Sequence, residues 1–478
     1  MTARRLPIPL LLLALILVAF VAGDPDTEGM ARARDPREAV AVPPEGTTSS
    51  GWFCPGPPPT LPIEQEFLAL TNVSEADETV VVTVYPDGGE ASVRREVDIA
   101  ALSVTRVARV DMGPPGPVTV EAFSRDVVVE SGFESAERVA MNPCASTAAK
   151  EWHFAAGTTV RGTEQYLMVF NPLGTDAKVD VTIRTGERVL EPEDLQSLDI
   201  PRRTRIPIAV HNYAIRSERV AIDLESTIGN VVVEQSIVFN AESGFQGVTR
   251  SMGVLAPAAS WTFADGNTVA GTSTVVALSN PGAVDVEVDV YANVGIEVPV
   301  TPVTAVVPRG GVTWVALGRC PDPVPDGCLA IPPESEYALQ VESDAKAPIV
   351  AEVLTLYDDT VVGSGAATVM GTADPADRWI VTRSVVPDAR VVLALTNPAI
   401  RAVTVDVDVI VDGSIEQPDE LQGITIEPGR RAGVEITTLV GPDATLVVHA
   451  SAAIVVERSV YAAGDLSRSP AIPARGGS

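Results

Sequence analysis

The sequence predicts an all-β protein, and three observations carry that reading. Valine is abundant, aromatic residues make up only 5% of the chain, and Gly and Pro punctuate short apolar runs, the profile of many short strands. Beyond the N-terminus, no stretch keeps a 3.6-residue apolar period for more than a turn or two. The third observation is a repeat. Val127-Val128-Val129-Glu130, Val231-Val232-Val233-Glu234, Ile349-Val350-Ala351-Glu352 and Ile454-Val455-Val456-Glu457 each end an apolar run in an acid. The four glutamates lie roughly 105 to 120 residues apart, close to the size of one small β-sandwich and too far for a solenoid repeat.

Each glutamate motif closes a longer pattern. A tryptophan opens it: Trp52, Trp152, Trp261 and Trp379. About twenty residues on, an apolar run ends in Asn72, Asn171, Asn280 or Asn397, and proline follows the last three. An alternating run comes next, at residues 79–85, 178–183, 284–291 and 403–411. Period-two alternation puts Asp285, Glu287 and Asp289 on one strand face and the valines on the other, so these acids read as a solvated face. A proline turn, another strand and a final strand pair complete the plan, at about seven strands per unit. The prediction is four tandem immunoglobulin-like sandwiches spanning 51–148, 149–257, 258–375 and 376–478. A Gly- and Ala-rich tail after each glutamate reads as a last hairpin or as a connection to the next unit. Spacers this short predict a rod with restricted joints.

The N-terminal segment reads as an address. Arg4 and Arg5 precede an apolar run to Gly23, and Asp24, Asp26 and Glu28 follow. The run suits a signal anchor (residues 1–23) or a cleaved signal peptide, and either places the body outside the cytoplasm. Residues 24–50, with mixed charges and a Pro-Pro-Glu-Gly-Thr-Thr-Ser-Ser stretch, read as a linker. A formal net charge of -29 argues against nucleic acid, which requires clustered Lys and Arg. Four cysteines in an exported chain read as two disulfides: Cys54 with Cys144 across the first unit, and Cys320 with Cys328 around a Pro-rich loop.

The order of Trp, Asn-Pro, β run and Val-Val-Glu-Arg-Ser resembles tandem repeats of exported proteins of unknown function from actinobacteria and other bacteria. The resemblance covers roughly residues 50 to 465. It implies an N-terminally anchored, extracytoplasmic β-sandwich protein and no catalytic residues. Unit one departs with Asn72-Val73 and unit three with Glu352-Val353, which marks these positions as tolerant.

Two readings compete for the landmarks. The glutamates form either a row of carboxylates for cations or a polyhydroxylated chain, or gatekeepers that keep Val-rich strands from pairing at their edges; the gatekeeper reading is preferred. The asparagines read as turn starters. The four tryptophans read as core or inter-unit plugs rather than sugar platforms. Trp314 lies outside the pattern and marks a candidate surface, as does the Cys320–Cys328 loop. His153, His211 and His449 fall in different units, with no Gly-x-Ser-x-Gly elbow nearby. No catalytic, metal or cofactor residue is assigned. The expected function is a non-catalytic accessory scaffold of the bacterial cell envelope. It would be held to the membrane by the N-terminal segment, or secreted if that segment is cleaved, and its partner would be an envelope protein or wall glycan. A carbohydrate-binding array and, further off, a glycan-processing enzyme with paired acids are the alternatives.

Overall fold

The computed structural model describes residues 38–295, 300–359, 363–383, 386, 389–462 and 464–474. The expected targeting segment and the first part of the linker lie outside the described residues. The regular secondary structure among the described residues is nearly all strand; α-helix is confined there to one four-residue turn, Arg109–Met112.

The sheets come in successive pairs along the chain. In repeat 1, one antiparallel sheet runs in the order Ser50–Cys54, Val118–Ala122, Glu78–Val84, Val93–Ile99. The other runs Ser103–Ala108, Glu66–Asn72, Val127–Glu134, Val139–Pro143. Four of these strands recur as reference points. The Trp strands are Ser50–Cys54, Glu151–Gly157, Ser260–Asn267 and Ala376–Thr382. The Glu strands are Val127–Glu134, Val232–Phe239, Val350–Asp359 and Thr445–Ala462. Each Glu strand pairs on one side with the strand bearing the landmark asparagine region. On its other side lies a closing strand: Val139–Pro143, Gly247–Met252, Gly363–Met370 or Asp465–Pro470. In repeat 4 the 18-residue Glu strand runs through both sheets and joins them.

Side-chain alternation explains the two kinds of strand. Ala177–Thr185 buries Ala177, Val179, Val181 and Ile183 and leaves Lys178, Asp180, Thr182 and Arg184 partly exposed, as one wet face requires. Val232–Phe239 is buried at every residue. One of its faces serves its own sandwich, and the other meets a neighbouring repeat. That is why the Glu strands read as continuous apolar runs.

The repeats do not form the predicted rod. Leu61, Phe133 and Ala140 of repeat 1 share an apolar cluster with Val238 and Val248 of repeat 2. Ala155, Ala156, Ile237 and Phe239 of repeat 2 pack into the core of repeat 3. Ala264 of repeat 3 packs on Ala394 and Val455 of repeat 4. Finally Phe67, Ala69, Val139 and Met141 of repeat 1 pack into the core of repeat 4. The chain of contacts therefore closes on itself. The physical reason lies in the doubly apolar Glu sheets: a rod would leave the outer face of the first one in water, and closure buries it.

The second half of the predicted linker is also part of the body. Ala39 and Val42 are buried, Ser146 donates its N–H to the Ala39 carbonyl, and Val42 donates to Pro473 at 2.9 Å. The short apolar run Ala39-Val40-Ala41-Val42 explains the docking. Cys54 and Cys144 are bonded with Cα atoms 4.9 Å apart, and Cys320 and Cys328 with Cα atoms 6.0 Å apart. Two disulfides point to an oxidising compartment.

Candidate functional site: the buried inter-repeat carboxylates

The four repeat glutamates are not at the surface. Glu130, Glu234, Glu352 and Glu457 are between 0% and 3% exposed, so both the gatekeeper and the open carboxylate row are overturned. Their strands are not edges either, since each pairs on both sides. A buried carboxylate must be paired or fully hydrogen-bonded, and each of these finds partners in the preceding repeat of the cycle.

Glu234 is gripped by Arg250 of its own closing strand at 2.8 and 2.9 Å and accepts from the Asn142 amide of repeat 1 at 3.3 Å. Glu457 takes Arg468 of its own closing strand at 2.8 Å and the backbone N–H of Ala264 in repeat 3 at 2.7 Å. Arg468 also reaches the backbone oxygen of Asp265 and the Thr355 hydroxyl, both in repeat 3. Glu130 has methionine, Met141, where repeats 2 and 4 have arginine. Its cation comes instead from Arg458 of repeat 4, in a bidentate pair at 3.0 and 2.9 Å. Arg458 further donates to the Thr382 carbonyl and to Ser469.

Glu352 stands apart. Its closing strand carries Thr368 at the arginine position, and the carboxylate is held by neutral donors of repeat 2: Ala155 N–H at 3.1 Å, Ala156 N–H at 2.8 Å and the Ser251 hydroxyl at 2.9 Å. Burial pushes its carboxyl up to about 7, against the pull of those three donors.

A fifth carboxylate ties all four closing strands together. Asp465 is buried, and its two oxygens accept the N–H groups of Val139 (3.1 Å), Val248 (3.2 Å), Ala366 (3.1 Å) and its own neighbour Leu466 (2.8 Å). Those donors belong to repeats 1, 2, 3 and 4 in turn. Gly247 and Gly365 let the strands approach, because a Cβ at either would stand 2.8 Å from an Asp465 oxygen. The Gly- and Ala-rich tails of the sequence are thus the closing strands, and their small residues serve this convergence. Burial drives the Asp465 carboxyl up to about 8, opposed by the four N–H donors.

The other landmarks are internal too. Trp52, Trp152 and Trp261 are fully buried and donate their indole N–H to the carbonyls of Val127, Val231 and Ile349, where the Glu strand of the same repeat begins. Trp379 is as buried but donates to Ala376. The asparagines do more than start turns. Asn171 accepts from the N–H of Leu173 and donates to the carbonyls of Thr175 and Ile200. Asn280 and Asn397 repeat that triad with Gly282, Val284 and Val307, and with Ala399, Arg401 and Ile426. Asn72, without the proline, keeps it with Ser74, Ala76, Ile99 and Ala100. One side chain thereby pins a turn and ties it to the facing sheet, which needs an amide with both a donor and an acceptor.

His153 pairs with Asp223 at 2.6 Å, and Asp223 also holds Arg184, which donates to Gly310 of repeat 3. His211 meets the Gln165 carbonyl and His449 meets Asp408, so the three histidines stay apart. Trp314 is half-buried beside the disulfide loop. Sequence reading missed Asp465, Arg250, Arg458 and Arg468. The arginine two residues before the end of two closing strands, absent in the others, is the signal that was available.

Comparison with known proteins is sparse. Residues 135–358 match a family of unknown function, DUF5719. No curated protein matches. Among solved structures, Thermotoga maritima 1070 is similar at 18% identity and a TM-score of 0.20, over 22% of this chain and 94% of its own. A tetra-tandem repeat in the extending region of a large adhesion protein aligns at 13% identity and a TM-score of 0.10, over 86% of this chain and 96% of its own. Scores this low leave the reading to the residues themselves.

Proposed function

We propose that this protein is a non-catalytic, extracytoplasmic scaffold of the bacterial cell envelope, tethered by its N-terminal segment and serving a membrane or wall-assembly partner. One observation carries the reading: the residues the repeat keeps are turned inward, the tryptophans and asparagines bonding within their own sandwich and the glutamates bonding across to the neighbouring one. What varies between repeats is the outer surface, including the exposed tips Leu173, Val284 and Ile400 beyond the landmark asparagines. The disulfides support the compartment. The carbohydrate-array alternative loses its four platforms, since the tryptophans are buried. In-cell cross-linking of the tagged full-length chain tests the proposal. A membrane or envelope protein recovered in fixed ratio is the expected result, and recovery of wall glycan without protein would contradict it.

A further inference from the structure

A short strap, residues 38–42, touches three of the four repeats at once. Glu38 forms an antiparallel bridge with Val254 of repeat 2. The Ala39 carbonyl accepts the N–H of Ser146 in repeat 1 at 2.9 Å, and the Ala41 N–H donates to the Ser146 hydroxyl at 3.0 Å. Val42 donates to the Pro473 carbonyl of repeat 4 at 2.9 Å. The side chains follow the same course. Ala39 packs in the core of repeat 2 with Ala145 and Trp152. Val42 packs where Ile380, Ile472 and Ala474 of repeat 4 enter the core of repeat 1. The first and last repeats are thus laced together by a segment that is a strand of neither.

The strap also roofs the axis of the cycle. The four closing strands pack side by side around that axis. At their ends remote from Asp465 lies a cavity of about 60 Å³, walled by Asn142, Met252, Met370 and Pro470, one from each repeat, and by Glu38 and Val40 of the strap. Two junction cations, Arg250 and Arg468, line it from within. Arg250 Nη1 and the Thr368 hydroxyl, also at the cavity, are buried and find no hydrogen-bond partner among the described residues. A site of this size and polarity admits a few water molecules. Water that exchanges freely there raises the local dielectric and weakens the hold of each guanidinium on its glutamate. The connection after the strap, 43–49, is exposed for most of its length, and the strap itself is held by a few main-chain bonds, one hydroxyl and small side chains. From these observations we infer that residues 38–42 are a releasable clasp: in place they keep the cycle shut and its axis sealed, and out of place they open the junction arginines to water.

The clasp does not depend on the tether of the proposed function; under that reading a pull on the N-terminal segment reaches Glu38 first and peels the strap from the body. Hydrogen exchange of the folded chain tests it. A site-specific protease sequence inserted at Gly46, in the exposed connection, allows the strap to be cut loose after folding and removed by gel filtration, and circular dichroism checks that the fold persists. The telling reporter is the closing strand of repeat 3, Gly363–Met370, to which no hydrogen bond of the strap runs among the described residues. Its amides are expected to exchange about tenfold faster or more once the strap has gone. A synthetic peptide of residues 38–45 should restore their protection, and the same peptide with Val42→Asp should not. In the uncut chain, Ser146→Ala removes the hydroxyl that Ala41 uses and should speed the same amides to a smaller degree. A strap that stays through gel filtration and is not displaced by excess peptide overturns the clasp. So does exchange in Gly363–Met370 that is unchanged after the strap has left and in Ser146→Ala.

Discussion

Glu130 and Glu352 occupy the same place in their repeats and are equally cut off from water, yet they are held in opposite ways. Glu130 meets a guanidinium contributed by repeat 4, whereas Glu352 meets two backbone N–H groups and a hydroxyl of repeat 2. The contrast follows from one position on the closing strand, which is Arg250 and Arg468 in repeats 2 and 4 but Met141 and Thr368 in repeats 1 and 3. Where that arginine is missing, the repeat either borrows a cation across the junction or leaves its carboxylate to neutral donors. A junction closed by neutral donors should titrate.

The strongest way to break the comparison is at the charged junction. Arg458→Met leaves Glu130 buried without a cation, and loss of one partner of a buried pair costs about 3–5 kcal/mol, read as a fall in the denaturant midpoint. Adding Glu130→Leu to Arg458→Met should recover a large part of that loss, because the uncompensated charge is then gone. A double variant no more stable than Arg458→Met would show that the pair contributes through packing alone.

The neutral junction gives the second test. With its carboxyl raised to about 7 against an ordinary value of 4.5, Glu352 contributes stability that is complete below about pH 4.5 and is lost as pH rises through 7. Glu352→Gln fits the same donors: its amide oxygen accepts the two N–H groups, and its NH₂ donates to the Ser251 hydroxyl. The variant should match the parent near pH 4 and exceed it near pH 8 by about 3 kcal/mol, the worth of a shift of this size. Equal stability at both pH values would place the Glu352 charge elsewhere than in this junction.

A smaller effect separates junction from repeat interior. Asn280→Asp replaces a donor by an acceptor that faces the carbonyls of Val284 and Val307. An unsatisfied buried group of this kind costs about 1–3 kcal/mol. Unlike the variants above, it should lower stability without altering contacts between repeats. Cross-linking yield between repeats would be unchanged while the denaturant midpoint falls.

How much of this was legible in the sequence depends on how far each residue's partner lies along the chain. The strands, their alternation at 177–185 and the cysteine pairing follow from neighbours in sequence or from simple spacing. The asparagine triads are half-legible: the turn partners lie 2 and 4 residues away, but the facing-sheet carbonyl lies 29 away from Asn171. The glutamates were misread for the same reason. Glu130 is answered 328 residues away and Glu352 almost 200 residues back, at Ala155. A charge ending an apolar strand looks solvated when only its own strand is in view. Closure itself left a trace in the doubly apolar Glu strands, which need a second surface to cover them.

The central claim is that the last repeat packs back on the first. Small-angle scattering of the chain from Arg37 onward tests it most directly. A closed cycle of this length predicts a radius of gyration of about 22 Å, the value for a compact body of its size. A value far above that, with the scattering profile of an extended particle, would show the repeats strung out in line and would contradict the account.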